Sequence, residues 1–366
     1  MSTLKVGAIR GVSASSDAIT VANDGSCTAN ITNNLSNRNL IINGAMQVSQ
    51  RGTSFSGTAQ RYTLDRMQMN TAGNDEIAQT EQAAVTSGGA YTSGFRKCLK
   101  ITNANQTGGA GAADFYRIFQ FTEAQNVAQS GWNYTSSSSF VTLSFWVKSS
   151  VAQNFYGYLR TQDGTQQNFP FETGSLTADT WTKITKTIPG NSNITIDNDN
   201  GHGPCLFIDL FNGTDYTGSV TLNQWGAYNA SVRVPDYGSA NDDWYLTNSA
   251  TFEITGVQLE VGEVVTDFEH RSFGQELHLC HRYYHKTTST NWFNLIEKGS
   301  TYRRLRYEFP NIMRVVPTVS NASGTNNGSS GTPTGTQHAS TKKITFHWDS
   351  PGLVELASGC EFSAEL

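Results

Sequence analysis

After residue 38, apolar and polar residues alternate in short stretches that are separated by turn residues. The clearest stretch is 140–148, where Val141, Leu143, Phe145 and Val147 fall on one face of a strand. Further strands are predicted at 39–48, 61–69, 95–102, 115–121, 155–160, 180–188, 205–211, 219–225 and 251–259. About ten short strands at even spacing are typical of a β-sandwich or a jelly roll.

Two of these stretches contain an irregularity. In 251–259 the apolar residues change parity across Gly256, which predicts a β-bulge at that glycine. In 39–48 the apolar run is broken by Asn43-Gly44, a pair that favours a turn.

One helix is predicted at about 273–285. Ser272 and Gln275 fit the capping box S-x-x-Q. Four apolar residues from Phe273 to Tyr284 then recur at i, i+4, i+7 and i+11, which places them on one stripe of a helix.

These patterns divide the chain into four parts. Residues 1–38 contain only short apolar runs among Ser, Asn and Gly, which are too few to close a core. We therefore expect them to form an extended arm that needs a partner surface. Residues 39–271 form the jelly-roll sandwich, 272–286 the connecting helix, and 287–366 a small C-terminal β-sandwich. In that last part, strands are predicted at 291–297, 301–309, 344–348 and 353–356, with a long flexible loop or hairpin tip at 320–341.

Composition narrows the class of protein further. Charged residues make up 15% of the 366 residues, against roughly 25% in an ordinary soluble protein. This excludes a helical bundle or a coiled coil, while 11% aromatic residues argue against disorder. The net charge is −5, and Arg303, Arg304 and Arg306 form the densest basic run, so nucleic-acid binding is not expected.

Cysteine usage and the chain's ends argue against secretion and against membrane insertion. The five cysteines are an odd number with no C-x-x-C pair, which favours buried thiols over a zinc or redox motif. Residues 1–9 show no signal-peptide pattern, and no segment approaches the ~20 apolar residues of a membrane span.

Several segments in a fixed order resemble one family. They are Asn39–Gln50 (NLIINGAMQVSQ), 256–271 (GVQLEVGEVVTDFEHR) running into SFGQELHLCHRYYHK, Phe309-Pro310 with Met313-Arg314, and the final Ala364-Glu365-Leu366. This series resembles tail-fibre and related appendage proteins of tailed bacteriophages and prophages. Its central part is similar to the jelly-roll sandwiches of carbohydrate-binding modules.

The resemblance implies a structural protein of the virion, made in the bacterial host cytoplasm, and it supplies no catalytic residues. It implies a homotrimer whose residues 1–38 attach to other tail or capsid proteins, and which recognises host cell-surface polysaccharide. The low charge agrees with this, because polar uncharged faces can pack against copies of themselves without burying charges. The alternatives are a capsid fibre, a decoration protein or a tail connector without receptor binding, and then a polysaccharide-degrading tailspike.

Glycan binding commonly combines exposed aromatic rings with side chains that hydrogen bond to hydroxyl groups. Both occur together in one stretch of the sequence. The candidate ligand-binding residues are Trp225, Tyr228, Tyr237, Asp242, Asp243 and Trp244. A second candidate lies in the C-terminal part, near Trp292, Tyr302 and the loop 320–341.

Metal and cofactor sites are not expected. His278, Cys280, His281 and His285 form the one concentration of His and Cys, but helical spacing alone does not make a metal site, so an interface or surface cluster is favoured.

The segment 197–203 resembles a calcium loop but does not match its pattern. Asp197 and Asp199 fit positions one and three, while Gly201 falls at position five instead of six. A β-turn is the simpler interpretation. Structural calcium at 236–244, through Asp242 and Asp243, is a further alternative. Paired carboxylates at Glu260, Glu263 and Glu269 are interpreted as structural rather than catalytic.

Overall fold

A computed structural model describes residues 6–15, 17–24, 27–29, 37–57, 60–76, 78–236, 243–288, 295–298, 301–326, 329–349, 354–356 and 358–366. Over these residues the protein is mainly β, as the sequence predicted, and it contains four α-helices. In the N-terminal arm, three short strands pair as an antiparallel sheet: β1 (Ala8–Ile9), β2 (Ile19–Val21) and β3 (Cys27–Ala29).

The sandwich follows. Its strands are β4 (Ser54–Phe55), β5 (Arg61–Tyr62), β6 (Gln68–Ala72), β7 (Gln79–Ala84), β8 (Lys97–Thr102), β9 (Phe115–Glu123), β10 (Phe140–Ser149), β11 (Asn154–Arg160), β12 (Gln167–Ser175), β13 (Thr182–Pro189), β14 (His202–Asn212), β15 (Thr217–Gly218), β16 (Gly226–Ala227), β17 (Val234–Pro235) and β18 (Thr251–Val261). Three helices of four or five residues lie between them: α1 (Gly88–Thr92), α2 (Ala124–Ala128) and α3 (Asp243–Leu246).

Two antiparallel sheets form the layers of this sandwich. One has six strands in the order β13-β10-β18-β8-β7-β4, and the other has seven in the order β16-β12-β11-β14-β9-β6-β5. Aromatic rings from the two sheets meet in the core, where Phe155 packs edge-on against Phe252 at 4.9 Å and Phe145 lies 6.4 Å from Phe171. The apolar face predicted for β10 is confirmed, because its four predicted core residues are fully buried.

The bulge predicted at Gly256 is confirmed. The register of β10 against β18 shifts between Ser144 and Trp146, opposite this glycine. Gly256 has a φ of +62°, a conformation that a residue with a Cβ adopts only with strain.

Two predicted strands are wrong. Residues 39–48 form turns, because the Asn43 side chain bonds to the backbone of Val48 and to the carbonyl of Asp65 and so folds the segment back. Residues 219–225 also lack a strand. Among the sandwich strands of five or more residues, two were not predicted: β7, which has four polar residues followed by two alanines, and β12, which contains Pro170.

The predicted helix is α4 (Phe273–His281), and both halves of the Ser272–Gln275 capping box are present. It ends at His281 rather than at 285, and residues Tyr284–Lys286 form the next strand, β19. The prediction of a single helix was also incomplete, since α1, α2 and α3 precede it.

The C-terminal part is built from short strands. They are β20 (Leu295–Lys298), β21 (Arg303–Glu308), β22 (Thr318–Ser320), β23 (Gly324–Asn326), β24 (Ser329–Gly331), β25 (Gly335–Gln337), β26 (Lys343–Trp348), β27 (Val354–Leu356) and β28 (Glu361–Ser363). They form three sheets, ordered β19-β28-β22, β20-β21-β26-β25 and β24-β23-β27. The region 320–341 contains three complete strands, β23, β24 and β25, and β23 pairs with β24 as an antiparallel hairpin, so it is not one long loop but includes the predicted hairpin. The core of this part contains Tyr307, Phe346 and Phe362.

Buried polar contacts join the C-terminal part to the sandwich. Glu365 forms ion pairs with Arg66 and with Arg51. Glu123, at the end of β9, receives hydrogen bonds from Arg282 at 2.5 Å and from Tyr283 at 2.8 Å.

Cysteines at four positions were predicted to be buried free thiols, and this is confirmed for Cys98, Cys205, Cys280 and Cys360. No helix in the described part of the chain is long and apolar enough to span a bilayer. The four domain boundaries and the homotrimer stay predictions.

Candidate functional site

The outer face of the seven-stranded sheet carries a row of aromatic rings. Phe119 of β9, Phe207 of β14 and Tyr158 of β11 are register partners on adjacent strands. Their rings are nearly parallel, with centroids 5.0 Å apart between Phe119 and Phe207 and 4.6 Å apart between Phe207 and Tyr158. These three strands therefore bury apolar side chains on both faces.

A second row lies beside these rings. It consists of four register partners on β9, β14, β11 and β12, which are Phe121, Cys205, Arg160 and Asn168. The guanidinium of Arg160 lies 5.1 Å from the centre of the Phe207 ring.

On the opposite side of the rings lies a third row. It contains Arg117, Asp209, Tyr156 and Glu172, again as register partners. The rows together form a surface that we call the aromatic face, defined by Phe119, Phe121, Tyr156, Tyr158, Arg160, Phe207, Arg117 and Asp209.

The loop 213–236 folds over one side of the aromatic face. Its Tyr228 lies 6.5 Å from Tyr158, with the Arg160 guanidinium 4.4 Å from the Tyr228 ring centre. Its Arg233 is buried and lies 4.0 Å from the ring centre of Tyr216. Guanidinium groups and rings therefore alternate across the face, an arrangement in which each cation is attracted by the ring quadrupole.

The rings differ in exposure. Those of the central row are buried, while Phe121, Tyr156 and Tyr228 are half-buried. The exposed His202 lies edge-on to Phe121 at 4.5 Å. Ring surface therefore reaches solvent at the edges of the aromatic face.

Beneath the aromatic face, some buried polar atoms have no hydrogen-bond partner among the described residues. Asp209 is buried, and burial raises the pKa of its carboxyl while Arg117 opposes that shift. Its Oδ2 accepts a bond from Asn212, but Oδ1 has no partner among the described residues. The Nε atoms of Arg117 and Arg160 also lack partners in the part of the chain that the structure describes.

Of the six residues predicted to bind a ligand, Tyr228 joins the aromatic face. Trp225 is half-buried, packs 5.4 Å from Phe169, and donates a hydrogen bond from Nε1 to the Pro189 carbonyl at 2.7 Å. Asp243 is exposed at the start of α3.

Trp244 was expected in a ligand-binding loop, and that placement is wrong. Its side chain is fully buried in the sandwich core, 5.8 Å from the ring of Tyr116. The apolar face of α3 has to be covered by the core, which explains the burial. Tyr237 and Asp242 lie outside the described residues, as does Trp292 of the second candidate.

Sequence reasoning missed the strand residues of the aromatic face. The runs FYRIFQF, FYGYLR and CLFIDLF are predicted as strands, but that prediction does not say which of their faces are covered. Their aromatic residues occupy both parities, which is the available signal that both faces of these strands are covered.

The second candidate region is only partly described. Tyr302 lies 5.5 Å from His347 and 5.1 Å from the Arg304 guanidinium. These contacts lie on the sheet β20-β21-β26-β25, away from the aromatic face.

The histidine cluster lies at the end of α4. The rings of His281 and His285 are 4.8 Å apart, and burial lowers the pKa of each to about 4. Cys280 is buried in the core side of the helix. Within the described residues, no three His, Cys, Asp or Glu side chains are grouped to hold a metal ion.

The acidic segment 197–203 forms turns. Asp199 accepts a hydrogen bond from the amide of Gly201, and Asp163 accepts one from the amide of Asp197. These carboxylates therefore bond to backbone amides.

The junction carboxylates also hold backbone. Glu260 is buried and accepts bonds from the amide and hydroxyl of Thr266. Glu269 accepts from the amide of Asn39 and from Arg271, and its pKa is lowered because these hydrogen bonds and the Arg271 charge outweigh burial. Glu263 is exposed.

Comparison with known proteins gives structural matches only. No family model matches the sequence, and no curated protein matches it. The enzymatically active domain of tailspike protein 4 from bacteriophage CBA120 matches with a TM-score of 0.29 and 10% identity, over 61% of this chain and 21% of that one.

Two bacterial modules match similarly. The family 11 carbohydrate-binding module of a Clostridium thermocellum cellulase has a TM-score of 0.26 and 10% identity, over 59% of this chain and 99% of that one. The N-terminal cellulose-binding domain of β-1,4-glucanase C from Cellulomonas fimi has a TM-score of 0.26 and 8% identity, over 54% and 90%. TM-scores this low assign neither an architecture nor an activity to this chain.

Proposed function

We propose that this chain is a structural protein of a tailed-phage virion that binds host-surface glycans through the aromatic face. The observation that carries the binding proposal is the set of half-buried rings, Phe121, Tyr156 and Tyr228, beside the half-buried guanidinium of Arg160 and carboxylate of Glu172.

The chemistry of this surface suits a sugar. A pyranose ring has apolar C–H faces that pack on aromatic rings, and hydroxyl groups that need donors and acceptors. On the aromatic face, the half-buried Arg160 supplies N–H donors next to the Tyr228 ring, and the half-buried Glu172, the register partner of Tyr156, supplies carboxylate oxygens. Both requirements are therefore met within one surface of adjacent strands.

The virion assignment rests on the ordered segments that resemble phage appendage proteins, from Asn39–Gln50 to the final Ala364-Glu365-Leu366. In this proposal the chain is a homotrimeric tail fibre that joins other virion proteins through residues 1–38. Several copies per particle would convert weak single-site affinity into useful avidity.

A non-catalytic role is part of the proposal. The junction carboxylates that could serve a glycosidase are engaged with backbone, as Glu260 is with Thr266 and Glu269 with Asn39. A capsid fibre, decoration protein or tail connector without receptor binding is the second candidate, supported by the same resemblance.

Binding can be tested with host polysaccharide and isothermal titration calorimetry. Tyr156→Ala and Arg160→Ala are expected to weaken binding about tenfold each, which corresponds to about 1.4 kcal/mol. Tyr302→Ala is the matched control, because it removes a half-buried aromatic ring from the C-terminal part. Loss of binding in Tyr302→Ala alone would place the ligand at the second candidate region instead.

The role on the particle is tested by adsorption. Purified protein that binds host cells and blocks phage adsorption supports a receptor-binding fibre. Protein that binds only the phage capsid or tail supports the structural alternative, and release of reducing ends from the polysaccharide would indicate a tailspike enzyme.

A further inference from the structure

A cleft of about 560 Å³ lies on the outer face of the six-stranded sheet, on the side of the sandwich away from the aromatic face. Its floor contains Ser144, Trp146 and Gly256, and its walls are the segments 92–95 and 267–270. We call it the Trp146 cleft. Its volume is in the range of sites that hold one or two sugar units.

The strand register places a ring and a cation side by side in this cleft. Trp146 of β10 and Lys183 of β13 are direct partners, so both side chains point to the same face. Helix α1 packs on the edge of the indole, because a Cβ at Gly89 would lie 2.5 Å from its six-membered ring. The glycine therefore lets the helix fix the Trp146 ring in position.

Three rings build the opposite wall. Phe95, Phe268 and His270 lie with their centroids 4.9 to 5.1 Å apart. His270 Nε2 donates to the Ser93 carbonyl at 3.0 Å, since a carbonyl only accepts. In the neutral ring this leaves Nδ1 as an acceptor.

The Trp146 cleft itself is lined by one cation, Lys183, and one carboxylate, Asp267. Lys183 forms no ion pair with any residue that the structure describes, whereas its neighbour Lys148 is bound to Glu253 at 2.9 Å. A second cleft of about 400 Å³, on the other side of His270, is lined by Arg96 and Lys97.

The residues that line the two clefts thus include three cations and one carboxylate, Asp267. The whole chain carries a net charge of −5. The positive excess comes from Arg96 and Lys97 of the second cleft, so within the Trp146 cleft it is Lys183, unpaired among the described residues, that favours an anionic ligand.

We propose that the Trp146 cleft binds an acidic sugar unit, a hexuronate or a sialic acid, with the sugar ring on Trp146 and its carboxylate at Lys183. This goes beyond the proposed function, because it is a separate site with a different ligand class. An ammonium group next to an indole offers one ion pair and one stacking surface, which a carboxylated pyranose matches in size and charge.

The test compares sugars that differ in charge alone. Trigalacturonate, its methyl ester and sialyllactose are titrated into the full chain, and the Trp146 indole signal is followed by NMR. We expect millimolar binding of the free acids, at least tenfold weaker binding of the ester, and perturbation of the Trp146 signal. No binding of either acid, or equal binding of acid and ester, overturns the proposal.

Variants locate the site. Lys183→Gln is expected to weaken binding of the acids about tenfold, while Lys148→Gln, which removes a lysine already paired with Glu253, changes it less than twofold. Equal effects of the two substitutions overturn the proposal. Tyr156→Ala, on the aromatic face, should leave acid binding unchanged.

The two sites can therefore fail separately. If Tyr156→Ala abolishes acid binding, the acidic ligand occupies the aromatic face, so the cleft proposal falls and the proposed function stands. If the acids bind the Trp146 cleft while Tyr156→Ala leaves host-polysaccharide binding intact, the cleft proposal stands and glycan binding at the aromatic face is contradicted.

Discussion

At the scale of single residues, the most demanding positions are charges buried where the C-terminal part meets the sandwich. The side chains of Arg66 and Glu365 are 2% and 5% exposed. Arg66 also donates to the Phe121 carbonyl and lies 3.7 Å from the Tyr283 ring centre. A buried guanidinium with this many partners is satisfied only while the last residues of the chain stay docked.

Replacing Glu365 with Gln should therefore lower the free energy of unfolding by about 3 kcal/mol, because it leaves the Arg66 charge buried without its counterion. Urea denaturation measures this. Glu361→Gln is the control, since its partner Lys286 and Glu361 itself are 30% and 22% exposed, and it should cost less than about 1 kcal/mol. An equal loss of the free energy of unfolding in the two variants would mean that the buried ion pair stabilises the chain no more than the partly exposed one.

Histidines near the same junction make stability depend on pH. The pKa of His281 and of His285 is about 4 in the folded chain, lowered by burial and then by the neighbouring histidine, against about 6.5 when unfolded. Between these values the unfolded chain binds more protons than the folded one. The free energy of unfolding should therefore fall as pH drops from about 6.5 to 4.

Thermal melts across that pH window test this dependence. In His285→Phe the ring contacts with Tyr307 and Phe362 are kept while the titrating group is removed. The melting temperature of the variant should fall less steeply with acid than that of the native chain, and identical slopes would contradict the prediction.

At the scale of elements, the bulge in β18 shows how one residue shapes a surface. A Cβ on Gly256 would lie 2.5 Å from the Phe95 ring, and the residue lies in the floor of the Trp146 cleft. The glycine at the bulge thus lets the Phe95 ring, which forms one wall of the cleft, pack directly against the backbone of β18.

Gly256→Ala should destabilise the chain by about 3 kcal/mol, since it combines left-handed backbone strain with a steric overlap. Gly174→Ala isolates the backbone contribution, because Gly174 also has a positive φ, of +74°, but nothing lies within 4 Å of its Cβ position. Its cost should be about 1 kcal/mol. Chemical denaturation of both variants measures the difference, and a smaller cost at Gly256 would refute the steric argument.

The local sequence pattern correctly predicted elements that bury a single face in the core or that begin with a local capping signal. Strand β10 alternates strictly because one of its faces meets the core, and the α4 capping box is a local signal. The strand predicted at 39–48 failed because the Asn43 side chain, bonding to residues 5 and 22 positions away, decides that conformation. Strand β12 was missed because tertiary pairing overrides the low strand propensity of Pro170.

The candidate site was harder to predict than the fold. Tyr228 was found because aromatic loop residues near polar ones are visible in sequence. Phe207 and Tyr158 were not, since only the strand order brings β9, β14 and β11 together. The same limit applies to Trp146 and Lys183, which are 37 positions apart and become neighbours through register.

At the scale of the whole molecule, charge is distributed unevenly. With only 15% charged residues, the chain still buries charged side chains of both signs at the junction and on the aromatic face. The outer face of β13 carries Thr185 and Thr187 beside Lys183. Uncharged polar side chains such as these threonines can meet a copy of the same chain at little desolvation cost.

This argument supports the homotrimer that the family resemblance implies. Light scattering at micromolar concentration should give about 120 kDa, three times the mass of one chain. A chain that starts at residue 39 should still give three times its own, smaller mass if residues 1–38 serve attachment to the virion, because the trimer contacts then lie in the sandwich and the C-terminal part. A mass of about 40 kDa for the full chain would contradict the trimer, and it would remove the avidity on which a millimolar glycan site depends.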